Sequence, residues 1–257
     1  MKYLELFKNG FDSTIDEKIK PENRPYVGYS PNEGLRLSTV LEENQSGYQM
    51  IDLGLPSGLK WADRNVGAEN PWDNGLYFSW GNVDGHAVDE NGNVTGGYSF
   101  DENTYATTFG SQYTGSELDA EHDAATANMG SNWRMPTSIE IVELVQNTDH
   151  YYVDLNGHMV PESQLNDSIK LRSICFVKKD TTFDYNTQGN FIEFPFAGRC
   201  IGSLLSQEGL CGVVWSSSVF GSGVHSAIDL LFTSYGSIYS NDDYSRYYGH
   251  SVRGVYD

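Results

Sequence analysis

The side chains best suited to hold another molecule lie near the C-terminus, in residues 219–248. This segment is rich in Tyr, Ser, Gly and Asp, and it contains no Lys, Gln, Glu, Met or Trp. Tyr provides a rigid, amphipathic contact surface at low entropic cost, while Ser, Gly and Asn provide adaptable hydrogen bonds, as in antibody binding loops. The composition therefore predicts a ligand-binding surface. The candidate ligand-binding residues are Phe220, Val224, His225, Asp229, Leu231, Tyr235, Tyr239, Asn241, Asp242, Asp243, Tyr244, Tyr247 and Tyr248.

The centre of this segment alternates in the manner of a β-strand. A period of two places Ile228, Leu230 and Phe232 on one face, which we expect to pack into the core. Asp229 and Leu231 are then predicted to point outward, with Leu231 as an exposed apolar contact. The alternative is a solvated loop and sheet face that the tyrosines merely decorate.

Catalytic chemistry finds little support in the residues. Cys175, Cys200 and Cys211 form no Cys-x-x-Cys pair and have no metal-ligand spacing, so three reduced core thiols are predicted. A disulfide between Cys200 and Cys211 is the alternative under oxidising conditions. The six His residues show no tight metal spacing, and the Gly-x-Ser-x-Gly signature of a nucleophilic serine is absent. The prediction is a protein that is not an enzyme and has no cofactor.

Oxygen-bearing side chains, the usual ligands of calcium, cluster around two turn glycines within residues 84–93. Their spacing departs from that of an EF-hand loop. The pair Asn91-Gly92 lies between apolar flanks, which is typical of a β-hairpin turn. A hairpin tip is therefore predicted, with calcium as the alternative. The residues in question are Asp84, Asp89, Glu90, Asn91 and Asn93.

Charge and hydropathy exclude two classes of partner. The formal net charge is -19 over 257 residues, and so acidic a surface repels the phosphate backbone of nucleic acids. No run of eighteen apolar residues occurs, so membrane insertion is not expected. The apolar stretch at the N-terminus is too short and too charged for a signal peptide, which predicts a protein made in a cytoplasm and kept there or built into a particle.

The order of elements is strands, then two helices, then strands, which indicates an α+β fold with short, mostly antiparallel strands. The first predicted helix spans Glu117–Met129, with Gly130 as its stop. The second spans Thr137–Thr148, where Thr137 and Glu140 have the spacing of a capping box. Its predicted apolar face consists of Ile141, Leu144 and Val145.

Short strands account for most of the remaining pattern. The last of them is expected to pair with the first, which would bring the ends of the domain together. A second Asn-Gly hairpin turn is predicted at 156–157. The predicted strands are 49–55, 59–62, 75–81, 174–177, 191–194, 213–215 and 252–255.

Residues 1–47 differ in character from residues 48–257. They carry Pro21, Pro25 and Pro31 and uneven clusters of charge. We predict a short helix near Tyr3–Asn9 followed by an extended, proline-punctuated arm. Such an arm serves to attach the domain of residues 48–257 to something larger, or else it is a floppy leader.

Seven phrases in residues 48–257 occur in one order. They are IDLGLPSGLKWA (51–62), NVGA (65–68), YFSWG (77–81), WRMPT (133–137), FPFAGR (194–199), WSSS (215–218) and GHSVR (249–253). This series resembles the Fibrobacter succinogenes major paralogous domain, a family common in gut Bacteroidetes and their phages. The resemblance implies a C-type-lectin-like fold. Gly254, where the family usually has Pro, an insertion around 83–107 and the N-terminal arm depart from the family pattern.

The five residue types missing from 219–248 are those that an Asn codon cannot reach when only its adenines change. In this respect the segment resembles the variable region of a diversity-generating retroelement target, whose C-type-lectin-like domain is varied near the C-terminus. The resemblance implies a phage-encoded protein on a virion or tail fibre. Its partners would be a host-surface protein or glycan and, through the N-terminal arm, other virion proteins.

Two other functions remain as alternatives. One is a cell-surface or secreted Bacteroidetes adhesin without diversification. The other is an oxidase of the formylglycine-generating type, some of which share the C-type-lectin-like fold. That activity needs an active cysteine pair, and Cys200 and Cys211 lack the surrounding motif.

Large side chains within the family phrases are expected to be structural. Core packing is predicted for Trp61, Trp80, Trp133 and Trp215 in preference to carbohydrate stacking. Arg253, in the predicted last strand, is expected to take part in a structural ion pair.

Overall fold

The computed structural model describes residues 27–30, 34–37, 47–108, 113, 115–166, 169–181, 183, 185, 191–221 and 225–256. The chain divides into two units, Met1–Glu43 and Asn44–Asp257, whereas the sequence places the boundary after residue 47. In the first unit, β1 (Val27–Ser30) and β2 (Gly34–Leu37) form an antiparallel hairpin. The sequence predicts extended backbone here but not its pairing. The helix predicted near Tyr3–Asn9 lies outside the described residues.

The second unit is a mixed α+β structure that is mostly sheet. Its strands are β3 (Met50–Ile51), β4 (Lys60–Ala62), β5 (Tyr77–Phe78), β6 (Trp133–Arg134), β7 (Thr148–Asp154), β8 (Met159–Val160), β9 (Leu171–Lys178), β10 (Phe191–Pro195), β11 (Arg199–Ile201), β12 (Leu204–Ser206), β13 (Cys211–Val219), β14 (Ser226–Thr233), β15 (Ile238–Ser245), β16 (His250–Ser251) and β17 (Val255–Tyr256). Its α-helices are α1 (Glu102–Thr108), α2 (Ala124–Met129) and α3 (Ser138–Asn147), and 3-10 turns occur at Thr95–Gly97 and Glu162–Gln164. None of these helices has the length and apolar character needed to cross a bilayer.

In the described residues of this unit, the strands form four sheets. Their strand orders are β15-β14-β13-β16-β5, β3-β4-β17-β6, β10-β9-β7-β8 and β11-β12. The pairing is antiparallel except between β13 and β16, which run parallel. The mostly antiparallel arrangement confirms the predicted α+β class.

The first and last strands of the domain lie in one sheet, but they do not pair with each other as predicted. The last strand, β17, pairs with β4 and β6, and the first strand, β3, pairs with the other edge of β4. The prediction that the first and last strands pair directly is therefore wrong. The chain before β17 already bonds to the β4 region, because Ala62 N donates to Gly254 O and Val66 N donates to Val252 O.

Helix starts follow side-chain caps. Thr137 and Glu140 form the predicted capping box at the start of α3, which is confirmed.

The predicted helix Glu117–Met129 is too long, because α2 begins only after Asp123, whose carboxylate accepts from Thr126 N. Upstream, the Asp119 carboxylate accepts from the backbone N–H groups of the next turn instead. Gly130, with φ of 104°, ends α2 as predicted. Helix α1 was not predicted.

The hydrophobic core confirms the expectations for the large side chains. The four tryptophans Trp61, Trp80, Trp133 and Trp215 are all buried. The apolar face of α3 packs with Leu230 and Phe232 in one cluster. Arg253 is also fully buried, but the predicted ion pair is not found among the described residues, where its guanidinium donates to three neutral oxygens instead. It lies between β16 and β17, outside both strands.

Both predicted Asn-Gly turns are confirmed. Gly92 and Gly157 have φ of 80° and 82°, which a glycine adopts without steric cost. At the first tip, Asp89 Oδ1 accepts from the backbone N–H groups of Asn91 and Asn93. This carboxylate is thus engaged within its own turn, as expected for a hairpin tip.

Candidate functional site

Residues 219–248 fold mainly into the hairpin of β14 and β15. Strand β14 lies between β13 and β15, and β15 forms the edge of the five-stranded sheet. The turn between them is closed by Gly236 N donating to Thr233 O, and Gly236 has φ of 96°. An edge hairpin presents one strand without a further backbone partner, which suits a surface that contacts another molecule.

The strand register decides which candidate residues share a face. Asp229 lies opposite Asp242, and Leu231 lies opposite Tyr239, with a bulge of β15 between the two pairs. Directly opposed residues point to the same side of a sheet. We call this side of the hairpin the Asp229 face; it carries Ala227, Asp229, Leu231, Tyr239, Asp242 and Tyr244. Asp243 lies opposite Ile228 and therefore belongs to the other face.

The described candidate residues are exposed or of intermediate exposure, except for Asp229, which is buried. Tyr235 is 64% exposed, Tyr239 is 52% exposed and Phe220 is 43% exposed. Asn241 and His225 are also exposed. Val224 lies outside the described residues. Those of intermediate exposure are Leu231, Asp242, Asp243, Tyr244, Tyr247 and Tyr248.

Tyr239 and Asn241 are exposed within β15, and the other exposed candidates lie toward the two ends of the hairpin. Tyr235 sits at the β14–β15 turn, whereas Phe220 and His225 flank the opposite end, where Phe220 N donates to Ser226 O. Strand β14 has eight residues, so these ends are about 26 Å apart. The candidates thus form an elongated strip rather than one compact patch.

Asp229 is a correction to the sequence prediction, because it is 0% exposed instead of facing outward. The alternation of β14 is as predicted, but both faces are covered over Ala227–Leu230. Asp229 lies opposite Trp215 of β13, and the Trp215 indole stacks on the His250 ring with centroids 3.9 Å apart. His250 Nδ1 lies 4.0 Å from Asp229 Oδ2.

The charge state of this buried pair is set by desolvation. Burial raises the pKa of Asp229 well above its ordinary value; Asp242 and Asp243 raise it further, and Arg199 lowers it. Burial lowers the pKa of His250 well below its ordinary value, and Arg199 lowers it further. Among the described residues, neither Asp229 oxygen and neither His250 nitrogen has a hydrogen-bond partner.

Asp229→Asn is expected to stabilise the protein at neutral pH. In the unfolded chain the Asp229 carboxyl group loses its proton at about pH 4. In the folded protein it keeps the proton to higher pH, because the pKa of Asp229 is raised. The unfolded state therefore binds fewer protons over that window, and the free energy of unfolding falls as pH rises. Asn has no such proton to release, so the substitution removes this loss of stability. One unit of pKa difference corresponds to about 1.4 kcal/mol, so we expect the free energy of unfolding to rise by on the order of 1 kcal/mol or more at neutral pH. Urea denaturation measures it.

The same comparison at about pH 3 is the control, because Asp229 is then protonated in both states and the gain should vanish. His250 titrates in both proteins, so its own contribution cancels in the difference. Equal stabilities of the two proteins at neutral pH would contradict the prediction.

Aromatic rings and one guanidinium flank the buried pair. The Arg199 guanidinium lies 4.5 Å from the centroid of the Tyr244 ring, and Arg199 Nη1 donates to Tyr244 Oη at 2.8 Å. The Tyr244 and His250 ring centroids are 5.2 Å apart, and those of Tyr247 and Tyr248 are 4.9 Å apart. The structure therefore brings Tyr244, Tyr247 and Tyr248 together.

Sequence reasoning missed Arg199 and His250 as parts of this site. Both lie outside residues 219–248, the window defined by composition. The available signal was their place in two of the ordered phrases, FPFAGR and GHSVR. Residues far apart in the chain meet here because β11 bonds to the segment before β16 through Cys200 and Gly249.

The cysteines are free and buried. Burial raises the pKa of Cys200 to about 12, and it also raises those of Cys175 and Cys211. A thiol nucleophile requires the thiolate, which such environments disfavour. Within the part of the chain that the structure describes, no group of three or more His, Cys, Asp or Glu side chains could hold a metal ion.

Comparison of the chain with protein-family models, with curated proteins and with solved structures gives no significant match.

Proposed function

We propose that this chain is a non-enzymatic ligand-binding protein that recognises a host-surface protein or glycan through the β14–β15 hairpin. The observation that carries the proposal is the exposure of Tyr235, Tyr239 and Asn241 on an edge hairpin. Exposed tyrosines beside small polar residues are typical of binding surfaces that act by recognition without turnover. The sheet behind them provides a stiff support, because β14 is paired on both sides.

The fold proposed for residues 48–257 is C-type-lectin-like. Support comes from the ordered phrases, whose tryptophans all lie in the core, and from the two chain ends of the domain, which share one sheet. The departure at Gly254 has a local explanation. A Cβ there would lie 2.6 Å from Met129 Sδ and 3.0 Å from Trp133 Cε3. Met129 thus takes up space that a larger residue would need.

The proposed biological setting is a phage protein displayed on a virion or tail, with residues 219–248 diversified by a retroelement. In this proposal the N-terminal arm attaches the domain to other virion proteins. Support comes from the residue types in the segment and from the solvent exposure of several of its tyrosines. The genes that flank the native gene test whether the segment is diversified. A template repeat with adenine-only mismatches beside a reverse transcriptase gene is expected, and the lack of both would refute diversification.

The two alternatives are separable by simple observations. A lipoprotein signal encoded upstream of the native reading frame would favour the adhesin. Oxidase activity that Cys200→Ser abolishes would favour the formylglycine-generating type. The buried, protonated state of Cys200 argues against such a nucleophile.

Replacing Tyr235 and Tyr239 together with Ala is expected to weaken binding at least about tenfold, because exposed aromatic anchors carry much of the energy of an interface. Binding is measured by biolayer interferometry on panels of gut Bacteroidetes cells and purified surface glycans. Tyr244 and Tyr248 are left intact, because their rings pack near His250 and their loss would disturb the fold.

The matched control replaces Leu155 and Met159 with Ala. Both side chains are exposed, and they belong to the β7–β8 hairpin of another sheet. This variant should bind like the unmodified protein. Equal binding by the double tyrosine variant would refute the proposed surface.

A further inference from the structure

Unpartnered buried polar atoms concentrate beside the Asp229 face. In the described part of the chain they include both carboxylate oxygens of Asp229, both ring nitrogens of His250 and Arg199 Nε. Burying such groups without partners is costly, and folded proteins rarely retain several in one place without a functional reason. The cluster is therefore a candidate binding site, because its polar groups can still form hydrogen bonds or ion pairs with a ligand.

Acidic side chains outnumber basic ones around this cluster. Asp242 lies opposite Asp229 on the same face, and Asp243 is the next residue along β15. Arg199 is a cation nearby, but Tyr244 Oη accepts its Nη1–H, and its guanidinium lies over the Tyr244 ring. On the Asp229 face, two carboxyl groups thus have one neighbouring guanidinium, whose Nη1–H is bound to a phenol oxygen.

Aromatic rings complete the surroundings. Tyr244, Tyr248 and Trp215 all lie near His250, with centroid distances from its ring of 5.2, 6.4 and 3.9 Å respectively. Carboxylates combined with aromatic faces suit organic cations, which gain from ion pairing and from the ring quadrupole. A metal ion fits less well, because no described group of three or more metal-ligating side chains could hold one.

We propose that Asp229 and Asp242, with the Tyr244 ring, form a subsite for an ammonium or guanidinium group of the ligand. The inference rests on the proposed function and specifies the chemistry of what the hairpin recognises. The incoming cation takes the position of the Arg199 guanidinium over Tyr244. Arg199 and Tyr244 are both partly exposed, so both can move toward solvent and uncover the carboxylate.

Binding of a cation should be linked to proton release. The raised pKa of Asp229 means that a bound cation favours loss of its proton. The groups near Asp229 are Asp242, Asp243, Tyr244, Arg199, Cys211 and His250. Protonation of His250 at low pH would add a competing positive charge, which acts in the same direction. Affinity should therefore rise with pH, and protons should be released to the buffer.

The test is isothermal titration calorimetry of the full chain with Nα-acetyl-lysine amide, Nα-acetyl-arginine amide and glucosamine, each in two buffers of different ionisation enthalpy. N-acetylglucosamine is the neutral control and should not bind. Preference for the amino-acid amides indicates a protein ligand, and preference for glucosamine indicates an amino sugar. Binding of none of the cations, or binding without any buffer dependence, would overturn the proposal.

Substitutions separate this subsite from general effects on folding. Asp229→Asn and Asp242→Asn should each weaken cation binding at least about tenfold, while Asp149→Asn, which removes an exposed carboxylate of β7, should leave it unchanged. Arg199→Met should strengthen binding, because it removes the competing cation. Undiminished binding by both Asp229→Asn and Asp242→Asn would refute the subsite.

Failure of this inference is distinguishable from failure of the proposed function. If Asp229→Asn still captures cells or glycans in a manner that depends on Tyr235 and Tyr239, the binding surface stands and the cation subsite falls. If cations bind at Asp229 but the double tyrosine variant captures as well as the unmodified protein, the subsite stands and the proposed surface falls.

Discussion

Gly198→Ala is expected to destabilise the domain by about 4 kcal/mol or more. Gly198 has φ of 65°, a conformation that disfavours any residue with a Cβ. A Cβ at this position would also lie 2.3 Å from Ser206 O and 2.7 Å from Glu208 N. Both are backbone atoms, so the clash cannot be relieved by rotating a side chain. Chemical denaturation followed by tryptophan fluorescence measures the loss.

Gly209 provides the matched control for this substitution. It has φ of 74°, and no atom lies within 4 Å of the position that its Cβ would occupy. Gly209→Ala therefore carries the cost of the backbone conformation without the clash, and we expect a loss of only about 1 kcal/mol. Similar losses for the two variants would show that the close approach at Gly198 is not the cause.

The consequence of Gly198→Ala extends to the binding surface. Gly198 immediately precedes β11, which carries Arg199 next to Tyr244 and pairs with β12. A displaced β11–β12 hairpin moves the guanidinium away from Tyr244. In any fraction that remains folded, we therefore expect cation binding to change along with stability.

Arg253→Met is expected to cost about 3–5 kcal/mol. The guanidinium is fully buried and donates to Asn65 Oδ1 at 3.0 Å, Ala62 O at 2.9 Å and Glu193 O at 2.7 Å. These acceptors belong to chain segments far apart in sequence, so one side chain joins the β4 region to β10. Methionine fills much of the space but leaves three buried acceptors without their donor. Urea denaturation at neutral pH gives the loss.

Arg64→Met is the control for the loss of an arginine. Arg64 also makes three polar contacts, donating to Asp63, to Ala68 O and to Gly47 O, but its side chain is 17% exposed. Water can replace some of those bonds, so a loss of about 1 kcal/mol is expected. A loss at Arg253 no larger than this would mean that its hydrogen bonds matter little for stability.

Local sequence was sufficient to predict those features, such as helix caps and tight turns, that depend only on residues near each other in the chain. The α3 capping box needs only Thr137 and Glu140, and the two Asn-Gly turns need only a glycine that tolerates positive φ. The alternation in β14 correctly placed Leu230 and Phe232 in the core. Helix α2 was predicted too long. The Asp119 side chain accepts from the backbone N–H of Glu121 and so favours a turn there, and the helix begins only after Asp123, which caps it.

The candidate site was predictable only in part. Composition identified residues 219–248, and Tyr235 and Tyr239 are indeed exposed. Composition also placed Asp243 with Asp242, although the register assigns them to opposite faces. The bulge that sets this register depends on pairing between strands, which has no simple signature in a single strand.

The sequence by itself determined the α+β class, the turns, the main helix cap and the segment richest in contact-forming side chains. Only the tertiary structure decided that Asp229 is buried, that Arg199 and His250 stand beside it, and that β4 separates the first and last strands. The reason is physical. Alternation shows which side of a strand a residue takes, but what covers that side comes from distant parts of the chain.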